Sequence, residues 1–237
     1  MNKYLIIIPT FNEKDNISTV LTQIINLNND FDILVVDDNS PDGTSDIVEE
    51  FILLNSNINI IKRKNKGGLG SAYIDGFKWS INNNYNYVMQ IDADLSHNPN
   101  DIKRFIPLLD KYDFVIGSRY MKGGKCSMKF SRFVLSYFGN LFIKILLKTK
   151  INEHTTSFRG FNLAKLNKKK IDLKKINASG YSFFMETIYH LKKKKCSIKE
   201  IPITFRDRKF GKSKIPKLEI LRTLTNLFKL KFFSDFK

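Results

Sequence analysis

The stretch YVMQIDADLSHNP, residues 87–99, decides the fold. Tyr87, Val88 and Met89 form an apolar run that leads through Gln90 to Ile91 and then stops at two carboxylates, Asp92 and Asp94. A short apolar run bounded by polar residues reads as a buried strand. Side chains alternate along an extended chain, so Asp92 and Asp94 point the same way and can converge on one object. Two close carboxylates repel, and a divalent cation removes that cost. Hard oxygen ligands suit Mg²⁺ or Mn²⁺ shared with substrate phosphates, and the Ser96 hydroxyl can add a third oxygen. The plainer alternative is a loop whose acids cap the following helix.

Outward from this stretch the pattern recurs. KYLIIIP (3–9), FDILVVDD (31–38), INIIKRK (58–64) and DFVIGSRY (113–120) read as further strands. Helices separate them. One follows Asn12-Glu13, with Ile17, Val20, Leu21, Ile24 and Ile25 at helical spacing. One follows the turn Pro41-Asp42-Gly43, with Thr44 or Ser45 as its cap. One follows the glycine loop Gly67-Gly68-Leu69-Gly70, and one runs from Pro99 to Leu109. This alternation predicts an α/β fold with right-handed crossovers and a mostly parallel sheet flanked by helices. Ligands of such sheets lie at the carboxyl ends of the strands. Here those ends are Pro9 to Glu13, Asp37-Asp38, Asp92-Ala93-Asp94 and Gly117-Ser118-Arg119, all rich in polar groups. The second half reads differently, with helices over Phe130–Lys148, Gly180–Lys193 and Lys217–Phe233. A single strand lies in SIKEIPITFRDR (197–208), where Pro202 favours a sheet edge. With no Pro/Gly/Ser-rich linker, residues 1–237 read as one domain in two halves, 1–122 and 123–237.

Composition narrows the partners. The net charge of +17, from 40 Lys+Arg against 23 Asp+Glu, points to an anionic partner: nucleic acid, an anionic membrane surface or a phosphorylated substrate. Compositional drift is the plain alternative. The lysine clusters at 168–170 and 192–195 have no interleaved aromatics, which argues against nucleic acid. The two cysteines, Cys126 and Cys196, and three histidines exclude a disulfide framework and a Cys/His zinc site. His97 and His154 read as loop or packing residues. No run reaches the roughly 20 apolar residues of a spanning helix. The nearest, Phe133–Leu147, contains Asn140 and Lys144, so a soluble or peripheral protein is expected.

At the strand ends, the glycine loop reads either as a phosphate cradle at a helix N-terminus or as a tight turn. Of Asp37 and Asp38, one reads as an acceptor for a ribose or base, the other as a cap. In the helix from Phe130, Arg132, Ser136, Asn140 and Lys144 recur every four residues and form one polar stripe. Glu186 can orient a substrate or pair with a following lysine. In the last helix Ile220, Leu221, Leu224, Leu227 and Phe228 recur at helical spacing between basic residues. That pattern fits either a membrane surface or packing on the domain.

Together these motifs carry a resemblance. IIIPTFNEKDNI, VVDDNSPDGT, GLGSAYIDGF, IDADLSHNP and GSRY follow in the order seen in glycosyltransferase family 2. TTSFRGF, GYSFFMETI and IPITFRDRKFGKSKI extend the similarity to about Leu224, and the set looks most like the polyprenol-phosphate (dolichol-phosphate) mannose synthases. The resemblance implies a GT-A fold and inverting, metal-dependent transfer of mannose from GDP-mannose to a polyprenol phosphate. It implies that Pro9, Phe11, Glu13, Val36 and Asp37 or Asp38 contact the nucleoside. Asp92, Ala93 and Asp94 would hold a metal–diphosphate unit with Mg²⁺ or Mn²⁺, and Ser96 is a candidate third ligand. Arg208 and Lys214 would close over the donor diphosphate, and Arg119 would face phosphate on the donor side as well. Arg119, Arg132 and Ser136 would hold the acceptor phosphate, with the apolar sides of the helix meeting lipid. The groups expected at the reacting atoms are thus Asp94, Arg119, Arg132 and Ser136. Phe11 stands where tyrosine is common, and Ser96 where some relatives carry glutamine. The expected setting is the cytoplasmic face of a membrane, with a small membrane subunit as helper. A polyprenol-phosphate glucosyltransferase using UDP-glucose is the alternative of the same fold.

Overall fold

The computed structural model describes residues 2–27, 30–176, 180, 182–208 and 219–232. The first half alternates as the pattern predicts: β1 (Tyr4–Thr10), α1 (Lys14–Ile25), β2 (Phe31–Asp37), α2 (Thr44–Leu54), β3 (Ile58–Lys62), α3 (Leu69–Asn82) and β4 (Tyr87–Gln90). A 3-10 turn at Pro99–Asp101 leads into α4 (Ile102–Leu109), followed by β5 (Phe114–Ser118). Then come β6 (Lys125–Ser127), α5 (Phe130–Leu146), β7 (Arg159–Asn162), α6 (Leu163–Lys168), α7 (Ser182–Lys193), β8 (Ile198–Pro202), β9 (Thr204–Arg206) and α8 (Glu219–Phe232).

Seven strands form one sheet in the order β3-β2-β1-β4-β7-β5-β8, and β6 and β9 form a separate parallel pair. Every pairing in the large sheet is parallel except those of β7, which runs antiparallel to β4 and β5. The strands are apolar on both faces because helices cover both. In β1, Leu5 and Ile7 face the layer of α3 and α7, while Ile6 and Ile8 face the layer of α1, α2 and α4. The sheet brings the C-terminal ends of β1, β2, β4 and β5 to one edge.

Three expectations change. The segment 197–208 is two strands, not one. The Ile203 N–H donates to the Ser118 carbonyl while the Ile203 carbonyl accepts from Lys125 N–H, so the chain leaves the large sheet there and joins β6. Pro202, which has no N–H, lies at the end of the edge strand β8, as expected. Second, the cap of α2 is Gly43, at φ 88°, rather than Thr44 or Ser45. The Asp42 carboxylate accepts from Thr44 N–H and hydroxyl, supplying the first-turn acceptor that the cap lacks. Third, β7 was not expected at all.

Helix α5 is inverted relative to an ordinary surface helix. Its polar stripe faces the domain: Ser136 accepts from the Tyr120 hydroxyl, Asn140 accepts from His154 N–H, and Lys144 donates to Asn152. Several of its apolar side chains face out, with Phe130, Leu135, Phe138 and Ile145 60 to 81% exposed, while Ile143 is buried. Among the described residues, no helix is long and apolar enough to cross a membrane.

Candidate active site

The strand ends open into a cavity of about 850 Å³ between the sheet edge, α5 and the segment after β9. Pro9, Phe11, Glu13 and Asp38 border it on the β1–β2 side. Asp92, Ala93, Asp94 and Ser96 border it below β4, and Arg119, Arg132, Ser136 and Arg208 complete it. The structure therefore gathers twelve of the sequence-derived candidates around one space. Val36 and Asp37 do not border it. Val36 is buried in the α3-side core, and Asp37 accepts from Thr10, Ser40 and Ser45, tying the β1 and β2 ends together. Lys214 lies outside the described residues.

The glycine loop forms a tight turn whose two leading amides are already engaged. The amides of Gly67 and Gly68 both donate to the Asp38 carboxylate, at 2.8 and 2.7 Å. Arg63 pairs with the same carboxylate. Gly68 sits at φ 86°, a backbone conformation that glycine takes without strain. Asp38 thus reaches the cavity with both oxygens engaged, and these bonds fix the loop. Lys66, from the same loop, lies with its ammonium 3.6 Å from the Phe11 ring centroid and also borders the cavity.

The DADLSH loop is strained in a way that aims its acids. Leu95 takes φ 60°, unusual for a branched side chain, and anchors on the core next to α4. The reversal turns Ser96 N–H back to donate to Asp94 at 3.0 Å. Asp92 lies 3.7 Å from His97 Nε2 and 3.5 Å from the Tyr73 hydroxyl. Burial alone would raise the Asp92 pKa; His97, Ser157 and Arg208 outweigh it and hold the carboxyl below its ordinary value. Asp94 is paired with Arg208 at 3.1 Å. The Ser96 hydroxyl is buried without a hydrogen-bond partner among the described residues.

No group of three or more His, Cys, Asp or Glu gathers among the described residues. What the loop offers is two carboxylates and an orphaned buried hydroxyl. That set is too small for an all-protein cage, and it fits a hard divalent cation that takes its remaining oxygens from a phosphate.

Opposite the acids lies a buried ion pair that the sequence reading missed. Arg119 Nε and Nη2 donate to Glu153 at 2.7 and 2.8 Å, and Nη2 also donates to Thr155. Glu153 is fully buried, and its backbone N–H and that of Asn152 donate to Glu200. Burial would raise the Glu153 pKa, but Arg119 and the Thr155 donors hold it at about 2. Arg119 is therefore fixed in place, with Nη1 as the nitrogen these bonds leave. The usable signal was charge: Glu153 is the only acid between Asp113 and Asp172. Glu186 does not border the cavity; its carboxylate lies 3.4 Å from His190.

Residues 5–168 match the model of glycosyl transferase family 2. The chain is 35% identical over 214 residues to an undecaprenyl-phosphate mannosyltransferase of Micrococcus luteus, spanning 90% of this chain and 87% of the relative. It is 36% identical over 214 residues to a polyprenol monophosphomannose synthase of Mycolicibacterium smegmatis, spanning 89% and 80%. A mannosyltransferase of Pyrobaculum calidifontis, solved with GDP-mannose and Mn²⁺, superposes with a TM-score of 0.58 over 98% of this chain and 70% of that one, at 16% identity. The expected GT-A architecture is thus observed, and the chain belongs to glycosyltransferase family 2.

Proposed function

We propose that the protein transfers mannose from GDP-mannose to the phosphate of a polyprenol, with inversion, at the cytoplasmic face of a membrane. The observation that carries this reading is the common cavity. It is bordered at one side by Asp92 and Asp94 and at another by Arg119, Arg132 and Ser136, so two phosphorylated substrates can meet there. The names of the two relatives supply the sugar and the acceptor class.

In this reading Pro9, Phe11 and Glu13 contact the nucleoside, and Asp92 and Asp94, with Ser96, hold the metal beside the diphosphate. A bound Mg²⁺ or Mn²⁺ would neutralise negative charge building on the leaving diphosphate. Arg208, now on Asp94, is within reach of the same charge and adds a second cation. The acceptor needs no strong general base, because a phosphate oxygen is already ionised near neutral pH. Arg119 is held by Glu153 and needs no rearrangement to meet a phosphate, whereas Arg132 is exposed at the cavity rim. The lipid chain would leave along α5, where Leu135 and Phe142 are exposed and also border the cavity. The exposed face of α5, together with Phe228 and Phe232 of α8, then lies against the bilayer, and the positive net charge favours an anionic surface.

The test is incubation of the protein with labelled GDP-mannose, vesicles carrying polyprenol phosphate, and Mg²⁺ or Mn²⁺. Label is expected in the organic phase and to be lost in EDTA. Transfer from UDP-glucose but not GDP-mannose would overturn the donor assignment, and metal-independent transfer would overturn the role of the acidic pair.

A further inference from the structure

We propose that Asp207 is an internal occupant of the acceptor-phosphate site, coupled through its neighbour Arg208 to the carboxylates of the donor site. This rests on the reading of Arg132 as an acceptor arginine.

Two adjacent residues make two ion pairs to residues that border the cavity, Arg132 and Asp94. Asp207 lies 2.9 Å from Arg132 Nη1, and Arg208 Nη2 lies 3.1 Å from Asp94. The divergence follows from local structure. The chain here continues β9, and Asp207 N–H donates to the Ser127 carbonyl, extending the β6–β9 pairing by one bond. Successive side chains on an extended backbone point to opposite sides, so Asp207 is sent towards α5 and Arg208 towards the DADLSH loop.

Each pair places a protein charge where a ligand charge would otherwise go. The Asp207 carboxylate is the anion on Arg132, as the acceptor phosphate would be. The Arg208 guanidinium is the cation on Asp94, as a divalent ion would be. β9 itself is fastened to the acidic loop: Arg206 N–H donates to the Ser96 carbonyl, and His97 and Phe205 form a backbone bridge. The strand cannot slide as a whole, so displacing Arg208 from Asp94 falls on the dipeptide just beyond it. Residues 207 and 208 share a peptide bond and lie about 3.8 Å apart at Cα. Loading the donor side therefore disturbs the Arg132–Asp207 pair and frees Arg132 for the second phosphate. By linkage, acceptor binding favours donor binding to the same degree. The Arg132–Asp207 pair is 46 and 40% exposed, so its contribution is modest, about two- to fivefold in affinity.

The experiment is calorimetric titration of the full chain with a short-chain isoprenyl phosphate, without nucleotide and with saturating GDP and Mg²⁺. The wild type is expected to gain about two- to fivefold in affinity when GDP and Mg²⁺ are present. Asp207→Asn is expected to bind at the loaded wild-type level without nucleotide and to gain nothing further. Weaker binding by Asp207→Asn would overturn the proposal, since Asp207 would then be positioning Arg132. An undiminished gain in the variant, or no gain in the wild type, would overturn it as well. Arg132→Ala separates the two claims: unchanged isoprenyl phosphate affinity in that variant removes the acceptor reading itself, whatever Asp207→Asn does.

Discussion

Glu153 and Arg119 form the most buried ion pair of the cavity wall, and removing one partner leaves the other charge uncompensated. Glu153→Ala is therefore expected to cost about 3–5 kcal/mol in urea-induced unfolding, while Glu153→Gln, which keeps an acceptor for Arg119, costs less. The pair also predicts a pH dependence. Glu153 titrates at about 2 in the fold against 4.5 as its ordinary value, so its stabilisation is complete above pH 4.5 and is lost as pH falls towards 2. Burial lowers His154 to about 4 from 6.5, so the unfolded chain binds that proton more readily and stability also falls from pH 6.5 to 4. The urea midpoint is expected to decline steadily from pH 6.5 downward, and Glu153→Gln to flatten the part below 4.5. A midpoint constant across that range would refute both assignments. At this scale the strand-end acids were legible, because DxD after an apolar run has an evident geometry. The partners of Arg119 were not, because Glu153 meets it across 34 residues of sequence, and spacing carries no trace of that contact.

The elements were legible where periodicity was long and apolar, as in β1, β2, α1 and α5. β7 was not, because Arg159-Gly160-Phe161-Asn162 is four residues with a charge at its head, yet it is inserted between β4 and β5 inside the sheet. Arg159 is tolerated there because its guanidinium donates to the carbonyls of Thr156, Phe184 and His154. Close approach adds a constraint on α3. A Cβ on Gly76 would lie 2.8 Å from two atoms of Ile7 in β1, so Gly76→Ala is expected to destabilise by about 1–3 kcal/mol in denaturant unfolding. Phe138 and Ile145 are 61 and 68% exposed, so replacing both with glutamate is expected to leave stability nearly unchanged, within about 0.5 kcal/mol per site. Co-sedimentation with anionic vesicles is expected to fall at least about tenfold, since each apolar side chain contributes roughly 1.5–3 kcal/mol on burial. Unchanged sedimentation would mean that α5 is not the lipid-facing element.

At the scale of the molecule, the C-terminal edge of the large sheet and the segment after β9 gather groups around one space, and a helix with its polar stripe turned inward closes it. Family membership fixes the architecture and the class of reaction, and the proposed mechanism adds a division of labour inside the cavity. It assigns the acidic pair to the donor and Arg132 to the acceptor. The most direct measurement is initial-rate kinetics with GDP-mannose and polyprenol phosphate varied independently, in the wild type, Asp94→Ala and Arg132→Ala. Asp94→Ala is expected to lower kcat by at least about a hundredfold, as loss of a group stabilising developing charge does. Arg132→Ala is expected to raise KM for the polyprenol phosphate and not to raise KM for GDP-mannose. A rise in the donor KM with no change in the acceptor KM for Arg132→Ala, or near-normal turnover by Asp94→Ala, would contradict the account.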